Sequence, residues 1–215
     1  KLLNNKKDFR LDKFIEMALF GNNGYYLRKK PIGRKFDFVT SPEISQMFGE
    51  IIGVYLVYNW KEKINSKFNL IELGPGNGTL FKDIERSAQI LPNFFENADV
   101  NLIEINKELR KIQKKNLNYF RQSKIRWSNA LNFKSKLPSI IYSNEFFDCF
   151  PVRQFINNNN HWFERYVKFN ENENKYYSIN KRVINKIILD YLSKYRKQKI
   201  YEVSYSRNKY FEQIC

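Results

Sequence analysis

Apolar and polar residues follow two rhythms along this chain, one helical and one strand-like, and they change over near residue 150. Between Asp8 and Leu19, the residues Phe9, Phe14, Ile15, Ala18 and Leu19 recur at helical spacing until Gly21 and Gly24 end the pattern, which predicts an amphipathic helix. A second helix is predicted from Ser41: its hydroxyl can accept a free backbone N–H, Pro42 suits the first helical position, and Glu43 complements the positive end of the dipole. Ile44, Met47, Phe48, Ile51, Ile52, Tyr55 and Leu56 then form a stripe expected to face the core. Short apolar runs follow at Asn69 to Leu73, Val100 to Ile105, Lys124 to Trp127 and Ser139 to Ser143. Helical patterns separate the first of them: Leu80, Ile84, Ala88 and Leu91, ended by Pro92, and then a basic helix from Lys107 to Leu117 capped by Asn106, whose charges mostly make a solvated face. Strands alternating with helices predict an α/β fold with a parallel sheet.

From Val152 the rhythm becomes that of hairpins. Val152 to Ile156, Trp162 to Phe169 and Tyr176 to Ile179 are joined by polar turns too short for parallel neighbours, so an antiparallel subdomain is expected, followed by a helix from Val183 to Tyr195 and an extended piece at Tyr201 to Val203. The expected organisation is an N-terminal helical cap and loop (1–65), a Rossmann-like core (66–150), and a hairpin insertion with C-terminal helices (151–215).

Composition narrows the function classes. No apolar run approaches a membrane span and no signal peptide opens the sequence, so a soluble protein without a membrane partner is expected. Cys149, Cys215 and the single histidine, His161, are too few for a disulfide framework, a zinc site or histidine-based catalysis. A net charge of +16 favours an acidic partner such as nucleic acid. The lysines, however, are spread along the chain among abundant Asn, Ile, Phe and Tyr, so nucleic acid remains an alternative partner and not the favoured one.

The most informative chemistry is in Glu72-Leu73-Gly74-Pro75-Gly76-Asn77-Gly78-Thr79, where an apolar run gives way to three glycines at alternate positions before a helix. Glycine admits φ > 0 and lets a ligand approach the main chain. The dinucleotide fingerprint G-x-G-x-x-G requires a glycine where Thr79 stands. E-x-G-x-G-x-G instead resembles motif I of class I S-adenosylmethionine-dependent methyltransferases. That resemblance places Glu72 near the cofactor's amino group and Gly74, Gly76, Asn77 and Gly78 against its methionine and ribose portions. In folds of this type an acid ending the second strand, here Glu104, accepts from the ribose hydroxyls, and Asn129, after the third strand, lies where adenine contacts fall.

A second resemblance is more specific. Pro31-Ile32-Gly33 with Asp37 to Glu50, the glycine turn, and Asn144-Glu145-Phe146-Phe147-Asp148 with Pro151-Val152 stand in the order found in the MidA-like methyltransferases, the family of the mitochondrial complex I assembly factor that methylates arginine. Phe36 and Asn77 depart from it, standing where Gly and Arg are usual. The resemblance implies S-adenosyl-L-methionine as cofactor, a protein substrate methylated on arginine (a respiratory complex I subunit in that family), and an active-site loop holding Asp37, Thr40 and Ser41. It puts Asn144, Glu145 and Asp148 at the methyl-acceptor side, where the two carboxylates would clamp a guanidinium. The same carboxylates would equally serve as caps for local backbone groups. The location implied is cytoplasmic in a bacterium and the mitochondrial matrix in a eukaryote. A complete class I sheet has seven strands, whereas four parallel candidates are found here, so the expected fold is an incomplete Rossmann-like class I methyltransferase sheet in a C-terminally truncated or degenerate copy. A non-catalytic assembly or binding protein is the further alternative.

Overall fold

The computed structural model describes residues 8–28, 40–120, 125–130 and 135–214. The chain forms two compact units, one from Lys1–Tyr25 and Phe147–Cys215 and the other from Tyr26–Phe146. Strand β1 (Phe9–Arg10) and helix α1 (Leu11–Phe20) belong to the first unit, and the short helix α2 (Tyr25–Arg28) leads into the second. Most of the loop read before Thr40, including Asp37, lies outside the described residues.

The single helix expected from Ser41 is in fact two, α3 (Ser41–Ile44) and α4 (Gln46–Lys63), because Ser45 is extended with φ −138° and ψ 121°. The N-cap of α3 is Thr40 and not Ser41: the Thr40 carbonyl accepts from the N–H groups of Glu43 and Ile44 at 2.9 and 3.2 Å, and no side chain caps the helix.

The stripe expected to face the core holds only in part: Leu56 is buried and Phe48 and Ile52 pack against the core, while its other members turn outward. Met47, Ile51 and Tyr55 are 65, 61 and 61% exposed, whereas Gly49, Gly53, Leu56, Val57 and Trp60 are buried. The helix is apolar nearly all round, and its buried face is decided by the two glycines, which let its backbone approach α5 (Thr79–Ala88). A Cβ on Gly53 would meet the Ser87 hydroxyl and lie 2.9 Å from both Cα and the carbonyl oxygen of Ile84. Gly53→Ala is therefore expected to destabilise the protein by about 1–3 kcal/mol through overpacking, against the roughly 1 kcal/mol that alanine gains in helix propensity. Thermal unfolding checks this, since a raised midpoint would mean that the helices separate freely there.

The four parallel strands are present: β2 (Phe68–Leu73), β3 (Ala98–Ile103), β4 (Ile125–Ser128) and β5 (Ser139–Ser143), with helices α6 (Asn93–Asn97) and α7 (Lys107–Asn116) before and after β3. The sheet order is β4-β3-β2-β5, all parallel. All six residues of β2 are buried, as a strand covered on both faces requires. The chain steps from β2 outward to β3 and β4, then returns to place β5 on the other side of β2. This reversal opens a crevice beyond the carboxyl ends of β2 and β5, where ligands bind in open α/β sheets. The core beneath it includes Trp60, Phe68 and Phe94, with ring centroids 5.2–5.8 Å apart.

The other unit is antiparallel throughout. After a 3-10 turn at Phe147–Cys149 come β6 (Arg153–Asn158), β7 (His161–Asn170), β8 (Lys175–Arg182), helix α8 (Lys186–Ser193), β9 (Ile200–Val203) and helix α9 (Tyr205–Ile214). The sheet runs β1-β7-β6-β9, with β8 on the other edge of β7. The first hairpin turn is tighter than expected, with Asn159 and Asn160 at φ 48° and 63°, the pair of left-handed positions that asparagine tolerates. Helix α8 starts later than expected because Asn185 caps it, accepting from the Ile188 N–H at 3.2 Å, while Val183 joins Phe155, Trp162, Leu192 and Val203 in a small core.

Candidate active site

The glycine turn begins while the chain is still tied to the sheet, since the Gly74 N–H donates to the Ile103 carbonyl at 2.9 Å. Gly74, Gly76 and Gly78 then take φ of 63°, 56° and 81°, conformations that L side chains adopt only with strain. At Gly74 space is limiting as well, because a Cβ would lie 2.7 Å from the Phe146 ring. One step before the turn, Glu72 is 2% exposed and its carboxylate accepts from the hydroxyl of Tyr142, its register partner on β5, at 3.1 Å. Burial pushes the Glu72 carboxyl up to about 8; the Tyr142 hydrogen bond opposes the shift, and the nearby charge of Glu104 adds to it.

A cleft lies at this reversal point, with Glu72, Gly74, Gly76 and Asn77 on one wall, Asn144 and Glu145 beyond β5, and Thr40 and Glu43 from the start of α3. The Thr79 hydroxyl donates to Glu43 Oε1 at 2.6 Å and the Asn77 amide to the same oxygen at 3.3 Å, so α3 is fastened to the glycine turn. The sequence shows Glu43 only as a dipole partner. Its place in the cleft follows from the extended break at Ser45, which redirects the chain. Glu145 has φ 47°, an uncommon value for a non-glycine residue and a frequent mark of functional loops.

The structure thus brings together Thr40, Glu72, Gly74, Gly76, Asn77, Asn144 and Glu145. Gly78 faces the helical side of the turn, toward Gln113 and Leu117, and Ser41 begins α3. Glu104 follows β3 and is buried, accepting from the Asn106 N–H at 2.8 Å; burial raises its pKa. Asn129 is exposed in the bend after β4, and Asp148 lies on the 3-10 turn of the other unit. Gln113 stands in the basic helix whose charges make a solvated face, yet it is 0% exposed and its amide donates to the Gly76 carbonyl at 2.7 Å. Leu109, Gln113 and Leu117 recur every four residues, and a polar residue in the middle of that apolar row is the signal that could have found it.

The donor set fits a small organic cofactor with a cationic end: a Cβ-free main-chain turn, a buried carboxyl beside it, and a second acid at the next strand end. Among the described residues no cluster of His, Cys, Asp and Glu could hold a metal ion, and no helix is long and apolar enough to cross a membrane. Residues 51–215 match the family described as "Putative S-adenosyl-L-methionine-dependent methyltransferase". The chain is 34% identical over 163 residues to the mitochondrial protein arginine methyltransferase NDUFAF7 of Bos taurus, covering 66% of this chain and 37% of that protein. The Homo sapiens counterpart is 36% identical over 166 residues, covering 67% and 38%. A structure from Burkholderia thailandensis described as a "likely methyl transferase", bound to S-adenosyl-homocysteine, superposes with a TM-score of 0.80 over 97% of this chain and 55% of that one; at 19% identity the likeness shows the fold. The chain spans a little over a third of the length of the curated relatives it matches. With its parallel sheet, glycine turn and buried motif acid in place, the chain belongs to this S-adenosyl-L-methionine-dependent methyltransferase family.

Proposed function

We propose that this chain binds S-adenosyl-L-methionine in the cleft beyond β2 and β5 and serves a protein arginine methyltransferase. The observation that carries this is the juxtaposition of three left-handed glycines with the buried Glu72, in one cleft with Asn144 and Glu145. The names of the relatives, protein arginine methyltransferases, support the substrate class. The same names support a mitochondrial location in a eukaryotic cell, and the family resemblance carries the finer proposals of a respiratory complex I subunit as substrate and a cytoplasmic location in a bacterium.

Glu72 would hold the cofactor's ammonium, the backbone from Gly74 to Gly78 its methionine and ribose portions, Glu104 the ribose hydroxyls and Asn129 the adenine. When bound, the cofactor supplies an electrophilic methyl group on a sulfonium. The protein's own task is then alignment: Asn144 and Glu145 would orient a guanidinium nitrogen in line with the methyl group. Thr40 and Glu43 line the same cleft from the start of α3.

Calorimetric titration with S-adenosyl-homocysteine tests the cofactor assignment. The wild-type chain is expected to bind it in preference to NAD, and Gly76→Val, which forces a β-branched side chain to φ 56°, is expected to lose at least 100-fold in affinity. Equal binding of NAD, or an unaffected Gly76→Val, would refute the assignment.

A further inference from the structure

The glycine turn is held from beneath by helix α7 through contacts that no glycine motif contains. Gln113 projects from the middle of α7 and is fully buried. Its Nε2 donates to the Gly76 carbonyl at 2.7 Å and reaches Glu104 Oε2 at 3.5 Å. Its Oε1 accepts from the Trp127 indole N–H of β4 at 3.1 Å. The indole nitrogen can only donate, so it fixes which end of the amide faces which partner. With Oε1 committed to Trp127, the N–H groups must point at Gly76 and Glu104. One turn of helix further on, the Asn116 amide donates to the Asn77 carbonyl at 2.9 Å, from an exposed position.

These bonds matter because a turn with three left-handed glycines is entropically costly to hold, and glycine loses more backbone freedom on ordering than any other residue. A turn that had to be ordered by its ligand would bind correspondingly more weakly. We propose that Gln113, oriented by Trp127, is a positioning residue that pre-organises the glycine turn and the Glu104 carboxylate as one unit, linking the two halves of the cofactor site. Its role toward the cofactor rests on the function proposed above; its role toward the turn does not.

Two measurements separate these. In the ligand-free protein, hydrogen exchange is read at the Gly78 N–H, which donates to the Pro75 carbonyl at 2.8 Å, against the N–H groups of β2. Gln113→Met, of similar length and unable to donate, is expected to speed exchange at Gly78 about tenfold while β2 stays protected. In titrations with S-adenosyl-homocysteine, Gln113→Met is expected to weaken binding about 10- to 100-fold, the equivalent of one or two buried hydrogen bonds. Trp127→Phe, which keeps an aromatic ring but removes the orienting N–H together with part of the indole, is expected to weaken it about 3- to 10-fold and to have little further effect in the Gln113→Met background.

A merely structural role would instead lower stability while leaving cofactor affinity and Gly78 exchange in the folded protein unchanged. Unchanged exchange at Gly78 in Gln113→Met, or unchanged cofactor affinity in a folded Trp127→Phe, would overturn the inference. If wild type failed to bind S-adenosyl-homocysteine, the functional proposal would fall, and the exchange measurement would still decide whether Gln113 holds the turn.

Discussion

Replacing Glu164 by alanine is expected to destabilise the protein by about 3–5 kcal/mol, the cost of leaving one member of a buried ion pair without its partner. Glu164 and Arg153 are 7 and 8% exposed and bind in a two-pronged arrangement, Nε to Oε1 at 2.6 Å and Nη2 to Oε2 at 2.9 Å. The pair sits where β7 changes partners, from β6 at Phe155–Glu164 to β1 at Arg10–Tyr166. Arg10 approaches the same carboxylate at 3.8 Å and is itself held by both oxygens of Asp12 at 2.7 Å. Removing Glu164 leaves Arg10 with Asp12, but among the described residues leaves the Arg153 guanidinium with the faces of Phe155 and Tyr205, at 5.0 and 5.9 Å, and the Asp12 charge that Arg10 already pairs, which replace little of a carboxylate held by two hydrogen bonds. The double replacement Arg153→Met with Glu164→Leu is expected to restore most of the loss, because it removes both desolvation costs together. Urea unfolding of the three proteins measures this. A loss below about 1 kcal/mol for Glu164→Ala would show that water reaches the pair and screens it.

This ion pair also marks where the sequence stops being informative. Along β7, Trp162, Glu164 and Tyr166 fall on one face by strand alternation, so Glu164 appears as a polar interruption of an apolar row. Its partner lies on another strand, and nothing in the sequence couples them. The parallel strands were legible for the opposite reason: β2, buried on both faces, shows an apolar run that only a covered strand has. The glycine turn was legible because backbone conformation at φ > 0 selects residue type directly. Helix α4 was not, since most positions from Met47 to Trp60 are apolar and the buried face was chosen by close backbone approach at Gly49 and Gly53. In the site, Glu72, Asn144 and Glu145 were found through spacing and motif order, whereas Glu43 and Gln113 act through contacts made across the fold.

The largest pH effect is expected from Glu72. Its carboxyl, unperturbed near 4.5 in the unfolded chain, is pushed up to about 8 in the folded protein by burial on β2. Between those values the folded state holds a proton that the unfolded state has released, so stability falls as pH rises. The contribution is fully present below about pH 4.5 and is lost progressively up to about pH 8, an effect on the order of 5 kcal/mol at 1.36 kcal/mol per unit. Glu104, also raised by burial, acts in the same direction, and Asp12, held down by Arg10, acts in the opposite direction at lower pH. Glu72→Gln keeps the shape and can carry no charge, so its stability should fall less between pH 5 and 8 than that of wild type, the remaining slope coming from Glu104, and should exceed that of wild type at pH 8.

The same proton would be linked to cofactor binding. An ammonium beside Glu72 favours the carboxylate, so the bound state would lose the proton that the free protein holds. At pH 7 close to one proton is expected to leave per S-adenosyl-homocysteine bound, and affinity is expected to rise with pH up to about 8, where the ligand's own ammonium begins to deprotonate. Titration calorimetry in buffers of different ionisation enthalpy measures the proton count directly. Glu72→Gln should show weaker binding with no proton release. Binding of equal strength at pH 6 and pH 8, with no proton released, would show that Glu72 stays protonated against the ligand, and the carboxyl would then be a hydrogen-bond donor to a neutral group and not the anchor of a cationic one.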